Sequence, residues 1–547
     1  MSVQFTREQL NNIDKSMLID MFLQMQGRFD ELDSELKKAN DNTQKILEQL
    51  VLAKKARFGR SSEKMSDHTP GQLAFMEVEG EFVLFNEAEV HYDPDLKEPE
   101  DLVPVRKPKQ KGKREEDMKD IPAERKEHYL TEEELTEIFG ENGWKRLPDM
   151  VTKKYEFHQA KITVCEHHVG VYASKKDDRI VRAPHPKWLL PSSPVSASVA
   201  SAVINGKYVN SVTFYRLERE FERYGLSITR ANMANWMIRI SEEYLSIYYE
   251  YLHKKFYGYH VIQADETPFL VNKDGRPANS KSYMWVYRTG YLYEHPIILY
   301  QYQKTRNTSH PREFLKDFSG ICMTDGYQVY HSLEKEREDL RIAGCFIHMR
   351  RRFNDALALI PKQAQKGTAA YLAMKQIQAI YREEGKLKDM PSEERLMQRQ
   401  AVIKPLVDAF FAYIKESSSK PGLSSKLKEA ISYAINQERY LRVFLEDGDL
   451  PMDNNASERS IRSFCIGKKN FVMIDTIHGA QSSAVIYSLV ETAKANDLKP
   501  YEFFVHLLTE LPKLTDMTSS EAEPYLEKLL PWSPELPAHI REPVKSK

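Results

Sequence analysis

The chain carries the run Tyr259-His260-Val261-Ile262-Gln263-Ala264-Asp265, followed at once by Glu266-Thr267-Pro268. Its β-branched and aromatic residues predict a strand with an inward-pointing carboxylate at its tip. A second such run ends in Met323-Thr324-Asp325-Gly326-Tyr327, and Asp453-Asn454-Asn455-Ala456-Ser457-Glu458-Arg459 stands at the start of a helical pattern. Mg²⁺ is often held by a few carboxylates together with substrate phosphates. Three acids from separate elements could therefore build a phosphoryl-transfer site.

Further strands follow the first one. Two more apolar and aromatic runs, ending by residue 302, predict antiparallel neighbours joined by short polar connections. A helix is predicted at 309–318, then a strand ending at Asp325 and another at 340–346, and the pattern from 347 to 446 is helical almost throughout. This order predicts a ribonuclease H-like α/β domain with a large α-helical insertion.

Composition narrows the class of protein. A chain of 547 residues with 41% hydrophobic residues is long enough for several domains. It has no apolar run of membrane-spanning length and no signal-peptide pattern, so we expect a cytoplasmic protein without membrane association. The four cysteines form no Cys-x-x-Cys pair, which argues against a disulfide framework. The formal net charge is −1, so binding to a polyanion must depend on local basic patches.

Two patterns precede residue 120. Apolar residues from Leu18 to Leu50 alternate in steps of four and three, which predicts a coiled-coil helix and self-association. A long amphipathic helix folded back on its own chain is the alternative. Residues 66–103 are acid-rich and 106–114 form a dense basic run, which we interpret as a solvated linker that is either a plain tether or a contact to phosphates.

The region 191–257 is predicted to be helical in short pieces. Helix-period apolar positions occupy 196–207, 213–224 and 229–249, and Gly225-Leu226-Ser227 separates the last two. Short helices joined by a glycine-containing turn are typical of a helix-turn-helix that binds DNA. Helical hairpins that only pack against each other give the same pattern, so both interpretations stay open.

Seven motifs occur in order along the chain. They are Phe58-Gly59-Arg60-x-Ser62-Glu63-Lys64, Asp265-Glu266-Thr267, Asp325-Gly326-Tyr327, Gly344-Cys345-x-x-His348-x-Arg350-Arg351, Asp453-Asn454-Asn455-x-x-Glu458-Arg459-x-Ile461-Arg462, Gly467-Lys468-Lys469-Asn470-Phe471, and Ile486-Tyr487-Ser488-Leu489-Val490-Glu491-Thr492-Ala493 with Pro500-Tyr501. In this order the chain resembles the DDE transposases of the insertion sequence sixty-six group, over nearly its whole length. One motif alone would be weak evidence, and seven in order are specific.

The resemblance implies DNA transposition by two-metal phosphoryl transfer. Carried over position by position, Asp265, Asp325 and Glu458 become the catalytic and metal-binding triad, with two Mg²⁺ or Mn²⁺ ions as the cofactor. The implied partners are double-stranded DNA, as transposon terminal inverted repeats and as target, together with possible accessory proteins of the same element. A homo-oligomer is expected through the N-terminal coiled coil.

Two cationic clusters accompany the acids. Arg459, Arg462, Lys468 and Lys469 follow the third acid and suit the phosphates of a DNA end. A second cluster consists of His348, Arg350, Arg351 and Arg352, with His348 as a phosphate contact rather than a metal ligand. Arg306 also corresponds to a basic position of the family and is predicted to approach DNA.

Each acid has an alternative role. Neighbouring side chains of a strand face opposite ways, so only one of Asp265 and Glu266 can join the site, and we favour Asp265. Asp325 with Gly326 could be an ordinary turn, and Asp453 could cap a helix. Glu458 could instead form an i,i+4 salt bridge with Arg462.

One departure from the family concerns zinc. Family members often carry a zinc module with paired cysteines, whereas this chain has a single cysteine at about 120–185, Cys165, with His158, His167 and His168 near it in sequence. A structural zinc site needs four ligands, usually in close pairs. We expect the site to be lost, leaving a β-rich remnant.

These expectations divide the chain into eight segments and give it one function. The segments are a coiled-coil helix (1–65), a charged linker (66–119), a small β-rich module that is a degenerate zinc finger (120–190), a helix-turn-helix-like DNA-binding region (191–257), a ribonuclease H-like core with the first two acids (258–346), a helical insertion (347–446), the catalytic helix with the end of the core (447–510) and a C-terminal tail (511–547). The expected function is that of a DNA transposase acting on the ends of its own element. The alternatives are a catalytically inactive DNA-binding descendant and a ribonuclease H-like structure-specific nuclease.

Overall fold

The structure is a computed structural model. It describes residues 74–78, 81–85, 130–141, 148, 162–173, 180–191, 193–277, 279–290 and 292–543. The predicted coiled coil and the basic run at 106–114 lie outside the described residues. The described residues divide into two compact units, the larger with 187–217 and 230–540, and the smaller with those of 73–186, 218–229 and 541–543.

The smaller unit contains short elements. An antiparallel hairpin of β1 (Ala74–Val78) and β2 (Glu81–Phe85) falls inside the segment that the sequence predicts to be a linker. Helix α1 (Glu132–Phe139) begins with a capping box, in which the Thr131 hydroxyl accepts the Glu134 N–H and the Glu134 carboxylate accepts the Thr131 N–H. Strands β3 (Val171–Ala173) and β4 (Ile180–Arg182) form a second antiparallel pair.

Helices dominate the region that precedes the central sheet, as the sequence predicts. They are α2 (Ala197–Ile204) with a π-helical continuation (Asn205–Val209), α3 (Phe214–Arg223), α4 (Arg230–Ile240) with a π-helical segment (Ser241–Leu245), and α5 (Ser246–Phe256). Gly225, in the turn between α3 and α4, has a φ of 82°, a conformation that suits glycine. Whether these helices bind DNA stays a prediction.

A mixed sheet forms the centre of the larger unit. Its strands are β5 (Val261–Lys273), β6 (Lys281–Thr289), β7 (Ile298–Gln303), β8 (Gly320–Thr324), β9 (Leu340–Gly344) and β10 (Met473–Thr476), with α6 (Ser309–Phe314) and α7 (Gln328–Glu336) in the connections. The order is β7-β6-β5-β8-β9, and β10 pairs with the second half of β5. The predicted antiparallel trio is confirmed, and β8 and β9 join it in parallel.

A helical block separates β9 from the last acid, again as predicted. It consists of α8 (Phe346–Ala358), α9 (Lys362–Gln365), α10 (Ala369–Gly385), α11 (Ser392–Gln398) with a π-helical segment (Arg399–Ile403), α12 (Lys404–Ser418), α13 (Ser425–Leu441) and a 3₁₀ turn (Val443–Glu446). Ile377, Phe410 and Ile431, from three helices, are buried in one core. The two ends of the block meet, because the Phe346 N–H donates to the Met452 carbonyl at 3.2 Å.

The chain then returns to the sheet. The elements are α14 (Asn455–Phe471), α15 (Ile477–Ala495), α16 (Pro500–Glu510), a 3₁₀ turn (Leu511–Asp516), α17 (Ser519–Lys528) and a final 3₁₀ turn (Ala538–Ile540). Side chains of α15 close the edge strand β7, since Thr492 and Ser488 accept the N–H groups of Ile298 and Tyr300. Among the described residues, no helix has both the length and the apolar character needed to cross a membrane.

Candidate active site

The first acid, Asp265, lies on the central strand β5. It pairs with Val286 of β6, and the four residues before it, from Val261 to Ala264, are buried. An Asp265 oxygen accepts the N–H of Glu266 at 2.8 Å. Strand β5 continues to Lys273, so the prediction that Asp265 lies at the tip of its strand is wrong: the residue lies within β5 and is partly exposed.

The second acid, Asp325, begins the turn after β8. Gly326 has a φ of 87°, and a Cβ there would lie 3.0 Å from the Tyr433 hydroxyl. One Asp325 carboxylate oxygen accepts the Tyr327 N–H at 2.9 Å, and the Asp325 carbonyl accepts the Tyr433 hydroxyl at 2.9 Å. Asp325 does form a turn with Gly326, and the turn is held by a tyrosine of the helical block.

The third acid, Glu458, lies in the first turn of α14. Three hydrogen bonds join the start of this helix to the sheet: Asn454 Nδ2 to the Ala264 carbonyl at 3.0 Å, Gln263 Nε2 to the Asp453 carbonyl at 3.1 Å, and the Asn454 N–H to Cys345 Sγ at 3.1 Å. The Asp453-Asn454 turn thus fixes Glu458 beside the strand that bears Asp265.

A buried arginine supports the same helix from the sheet. Arg288 on β6 donates to the Ala456 carbonyl at 3.0 Å, to the Ser460 hydroxyl at 3.3 Å and to the Thr289 carbonyl at 3.1 Å. Burial lowers the pKa of Arg288 to about 10, which leaves it charged at neutral pH. Its forked guanidinium therefore connects β6 with the first two turns of α14.

The three acids are close enough to act on one another electrostatically. Burial raises the pKa of Asp265 well above its usual range, and the charges of Glu266, Asp325 and Glu458 raise it further. Burial also raises the pKa of Glu458 to about 7, and the charges of Asp453 and Asp325 act in the same direction. Electrostatic interaction thus links Asp265, Asp325 and Glu458 in one acidic cluster, in which Glu458 is buried and the two aspartates are partly exposed.

Glu458 has basic neighbours on α8. Its side chain is 2% exposed, with His348 Nε2 at 3.4 Å from Oε1 and Arg351 Nη2 at 3.9 Å from Oε2. The Arg351 charge opposes the rise in the pKa of Glu458. Burial lowers the pKa of His348 to about 4, so this imidazole is neutral at pH 7. The ionic contacts of Glu458 lie on α8 rather than at Arg462.

A second ion pair lies beside Asp265 and Asp325. Arg306 donates to the Glu266 carboxylate through Nε at 2.6 Å and pairs with it through Nη2, which lies 3.9 Å from Asp325 Oδ2. Its guanidinium stacks 3.6 Å from the centroid of the Tyr327 ring, and the Tyr327 hydroxyl donates to the Arg306 carbonyl at 2.9 Å. Arg306 therefore neutralises Glu266 and braces the turn that holds Asp325.

Comparison with known proteins now gives the family. The model described as Transposase IS66 family matches residues 192–482, which is more than half of the chain and includes all three acids. The chain belongs to the Transposase IS66 family. The model of the IS66 C-terminal element matches 488–532, and one described as Transposase C of IS166 homeodomain matches 45–125.

Relatives of this IS66-family chain include proteins of Sinorhizobium fredii (strain NBRC 101917 / NGR234). The uncharacterized protein y4qI is 28% identical over 66% of this chain and 67% of its own length. The uncharacterized protein y4jD is 25% identical over 65% of this chain and 70% of its own length. A solved structure, the Mos1 transposase paired-end complex with left transposon end, is 13% identical and covers 52% of this chain and 84% of its own, with a TM-score of 0.11. A TM-score this low carries no structural conclusion.

The cationic residues predicted to contact DNA occupy different surroundings in the IS66-family chain. Arg459 and Lys469 are exposed, whereas Arg462 is half-buried and its Nε has no hydrogen-bond partner. Lys468 Nζ donates to the Pro268 carbonyl at 2.8 Å, and the Arg350 guanidinium lies 5.3 Å from the Tyr381 ring centroid. Contact of any of them with DNA stays a prediction.

Two predicted alternatives can be compared with the geometry. Asp453 Oδ1 accepts the Asn455 N–H at 3.1 Å, so Asp453 does act on the backbone at the start of α14, while its carbonyl binds Gln263.

In the predicted zinc region, Cys165 is exposed and His168 Nε2 lies 3.4 Å from Glu166, and His158 lies outside the described residues.

The fit of the acids to a cation rests on their chemistry. Across the described ranges, no three His, Cys, Asp or Glu side chains are grouped as ligands that could hold a metal ion. Yet one buried oxygen each of Glu458 and Glu266 has no hydrogen-bond partner, and burial together with neighbouring carboxylates raises the pKa of Asp265 and Glu266. Carboxylate oxygens are the donors that Mg²⁺ and Mn²⁺ prefer.

Sequence patterns missed several supporting residues. Arg288 could have been noticed as a charged residue in the otherwise apolar strand β6, and Asn454 as the middle of a polar turn. Nothing in the sequence indicated that Tyr433, in the helical block, would contact Asp325. That contact depends on tertiary packing alone.

Proposed function

We propose that this chain is a DNA transposase that hydrolyses phosphodiester bonds at the ends of its insertion sequence and transfers the strands to target DNA. Asp265, Asp325 and Glu458 are its catalytic residues. The observation that carries the proposal is that these three acids, from a central strand, a strand end and a late helix, act on one another electrostatically in one cluster. Membership of the Transposase IS66 family supports it.

The proposal includes a ribonuclease H-like core. Three antiparallel strands followed by two parallel ones, with an acid on the central strand and another after β8, support that assignment. The helical block would be an insertion between the second and third acids. Hydrogen bonds between β5 and the residues before α14 give further support, because they bring the strand of the first acid next to the helix of the third.

Two divalent ions, Mg²⁺ or Mn²⁺, complete the proposed site. Asp265, Asp325 and Glu458 would hold them through carboxylate oxygens. Such ions polarise the reacting phosphate, lower the pKa of an attacking water and stabilise the leaving oxygen. Glu266 is already paired with Arg306 and is proposed to orient the site rather than to bind the ions.

The chain's own residues supply orientation and DNA binding in this proposal. Arg351 and His348 hold Glu458 on the side of α8, and Arg306 with Tyr327 holds the Asp325 turn. Arg459 and Lys469 are exposed on α14 and would contact DNA phosphates. Contacts to phosphates position a duplex without reading its sequence. Self-association through the N-terminal helix and accessory proteins of the element complete the proposed assembly.

The decisive experiment uses the full chain, a duplex carrying the inverted repeat of its element, and Mg²⁺ or Mn²⁺. Asp265→Asn should lower cleavage and strand transfer roughly a hundredfold to a thousandfold, because it removes a carboxylate that would hold the ions that stabilise the transition state. Binding of the duplex should persist. The matched control is Asp317→Asn, which makes the same change at an exposed acid and should keep full activity.

The competing functions give different results in the same assay. Equal activity of wild type and Asp265→Asn would refute the assigned triad. A wild-type chain that binds the repeat but never cuts it would indicate an inactive DNA-binding descendant. Cleavage of branched DNA without preference for the repeat would indicate a structure-specific nuclease.

A further inference from the structure

A cavity of about 400 Å³ opens at the far end of α14. Its rim carries three lysines and its walls are apolar. The lining includes Pro268, Leu270, Lys281, Lys468, Lys469 and Val472. The lining contains no acid. A volume of this size lies within the range of ~300–1,000 Å³ that is usual for small-ligand pockets.

The cavity and the acids lie along the same strand and helix, β5 and α14. Helix α14 runs along β5: Asn454 bonds to Ala264 at its start, Thr267 Oγ1 lies 3.6 Å from Cys465 Sγ in the middle, and Lys468 bonds to Pro268 near its end. Strand and helix therefore extend together from the acidic cluster to the cavity.

The rise along the helix and the rise along the strand give similar distances between the acids and the cavity. Ten helical residues separate Glu458 from Lys468, a rise of about 15 Å. Five strand residues separate Asp265 from Leu270, about 17 Å. One strand of B-DNA advances 3.4 Å per nucleotide, so the cavity is roughly four to five nucleotides from the acids.

The backbone at the rim of the cavity is strained. Val472, which ends α14, has a φ of 63° and a ψ of −52°, and its side chain is 60% exposed. Positive φ at a β-branched residue is rare, and such strain tends to persist at binding sites where the surroundings enforce it. Here the Val472 N–H is held by the Lys468 carbonyl at 2.7 Å and β10, which follows directly, is paired to β5. The strain keeps an apolar side chain at the rim of the cavity instead of in the core.

We propose that this cavity takes one nucleotide of the DNA strand that leaves the acids, with its base unstacked from the duplex. The apolar walls of Pro268, Leu270 and Val472 fit the face of a base, and the lysines fit its flanking phosphates. An anion without an apolar part would leave those walls exposed, and a wholly apolar ligand would make no contact with the positive charges of the lysines. The inference rests on the proposed function, because it assigns a subsite to the same DNA substrate.

The test places 2-aminopurine, a base whose fluorescence rises when it is unstacked, at successive positions from the end of the repeat. Wild type should increase the fluorescence at one position, roughly four to five nucleotides from the cleaved bond. Lys281→Glu reverses the charge of an exposed rim residue, and it should abolish the increase and weaken binding about five- to tenfold. Lys366→Glu makes the same charge change in the helical block and should alter neither.

The outcomes separate the two proposals. Asp265→Asn should retain the fluorescence increase while losing cleavage. If wild type binds and cuts the repeat with no increase at any position, or if Lys281→Glu keeps the increase, the pocket assignment is wrong and the transposase assignment stands. If Asp265→Asn cuts normally while the increase is present, the triad is wrong and the pocket stands. A wild-type chain that neither binds nor cuts the repeat would overturn both.

Discussion

The two ends of helix α14 differ in almost every physical property. The first turns are buried, carry Glu458, and are tied to the sheet by Asn454 and Arg288. The last turn carries Lys468 and Lys469 next to an open cavity. One helix thus offers a rigid acidic end and an accessible basic end. A buried charge is costly unless fixed protein groups pair with it, whereas an exposed charge stays hydrated until a ligand binds.

The largest expected effect comes from breaking the buried end. Arg288→Ala removes the donor to the Ala456 and Thr289 carbonyls and leaves a cavity beside α14. We expect the free energy of unfolding to fall by about 3 kcal/mol, because buried acceptors lose their partner. Urea denaturation of the full chain measures this change.

Arg288→Lys is the control for charge alone. It keeps a cation on β6 but lacks the fork that reaches Ala456 and Ser460 together, so it should fall between wild type and Arg288→Ala. Wild-type stability for Arg288→Ala would mean that the start of α14 is held in place by other contacts.

A smaller effect concerns pH at the buried end. The pKa of Glu458 is raised from 4.5 to about 7, so the folded state binds this proton more tightly than the unfolded state. The resulting stabilisation is complete below about pH 4.5 and is lost as pH rises through about 7. Glu458→Gln removes this loss, so its Tm relative to wild type should rise by about 2–4 °C between acidic and mildly alkaline pH.

Adding Mg²⁺ to the same Tm measurement tests whether Glu458 binds the ion. Above pH 7, Mg²⁺ should raise the Tm of wild type, because a ligand that binds only the folded state stabilises it. Glu458→Gln should show a much smaller rise. Identical rises in the two proteins would place Mg²⁺ binding away from Glu458.

The smallest effect belongs to the exposed end. Lys469→Gln removes one cation that contacts DNA phosphates in our proposal, so the slope of log affinity against log salt should decrease by about one. Folding stability should not change, because Lys469 is exposed. Lys366→Gln, on the helical block, provides the matched comparison, and an equal change in both slopes would remove Lys469 from the DNA interface.

Much of the larger unit could be predicted from sequence. Strand runs such as the one before Asp265 are continuous and apolar, since both faces of a central strand are covered, and this pattern is strong in a single sequence. The helical period from 347 to 446 is equally clear. The three acids could be picked because two end such runs and the third starts a helix.

Other features depend on partners that are distant in sequence. Arg306 was predicted to approach DNA because it corresponds to a basic position of the family, and the structure gives it an internal partner in Glu266. Sequence alone does not distinguish a basic residue that pairs with an acid of the same protein from one that binds a phosphate. The β1–β2 hairpin was missed because the acidic composition around it favours a linker.

The meeting of Phe346 with Met452 has a consequence for the order of folding. The chain leaves β9, builds the whole helical block, and returns to within a hydrogen bond of its departure point. Closing so long a loop is entropically unfavourable until the intervening helices have packed. We therefore expect Glu458 to reach Asp265 and Asp325 only after the helical block has packed.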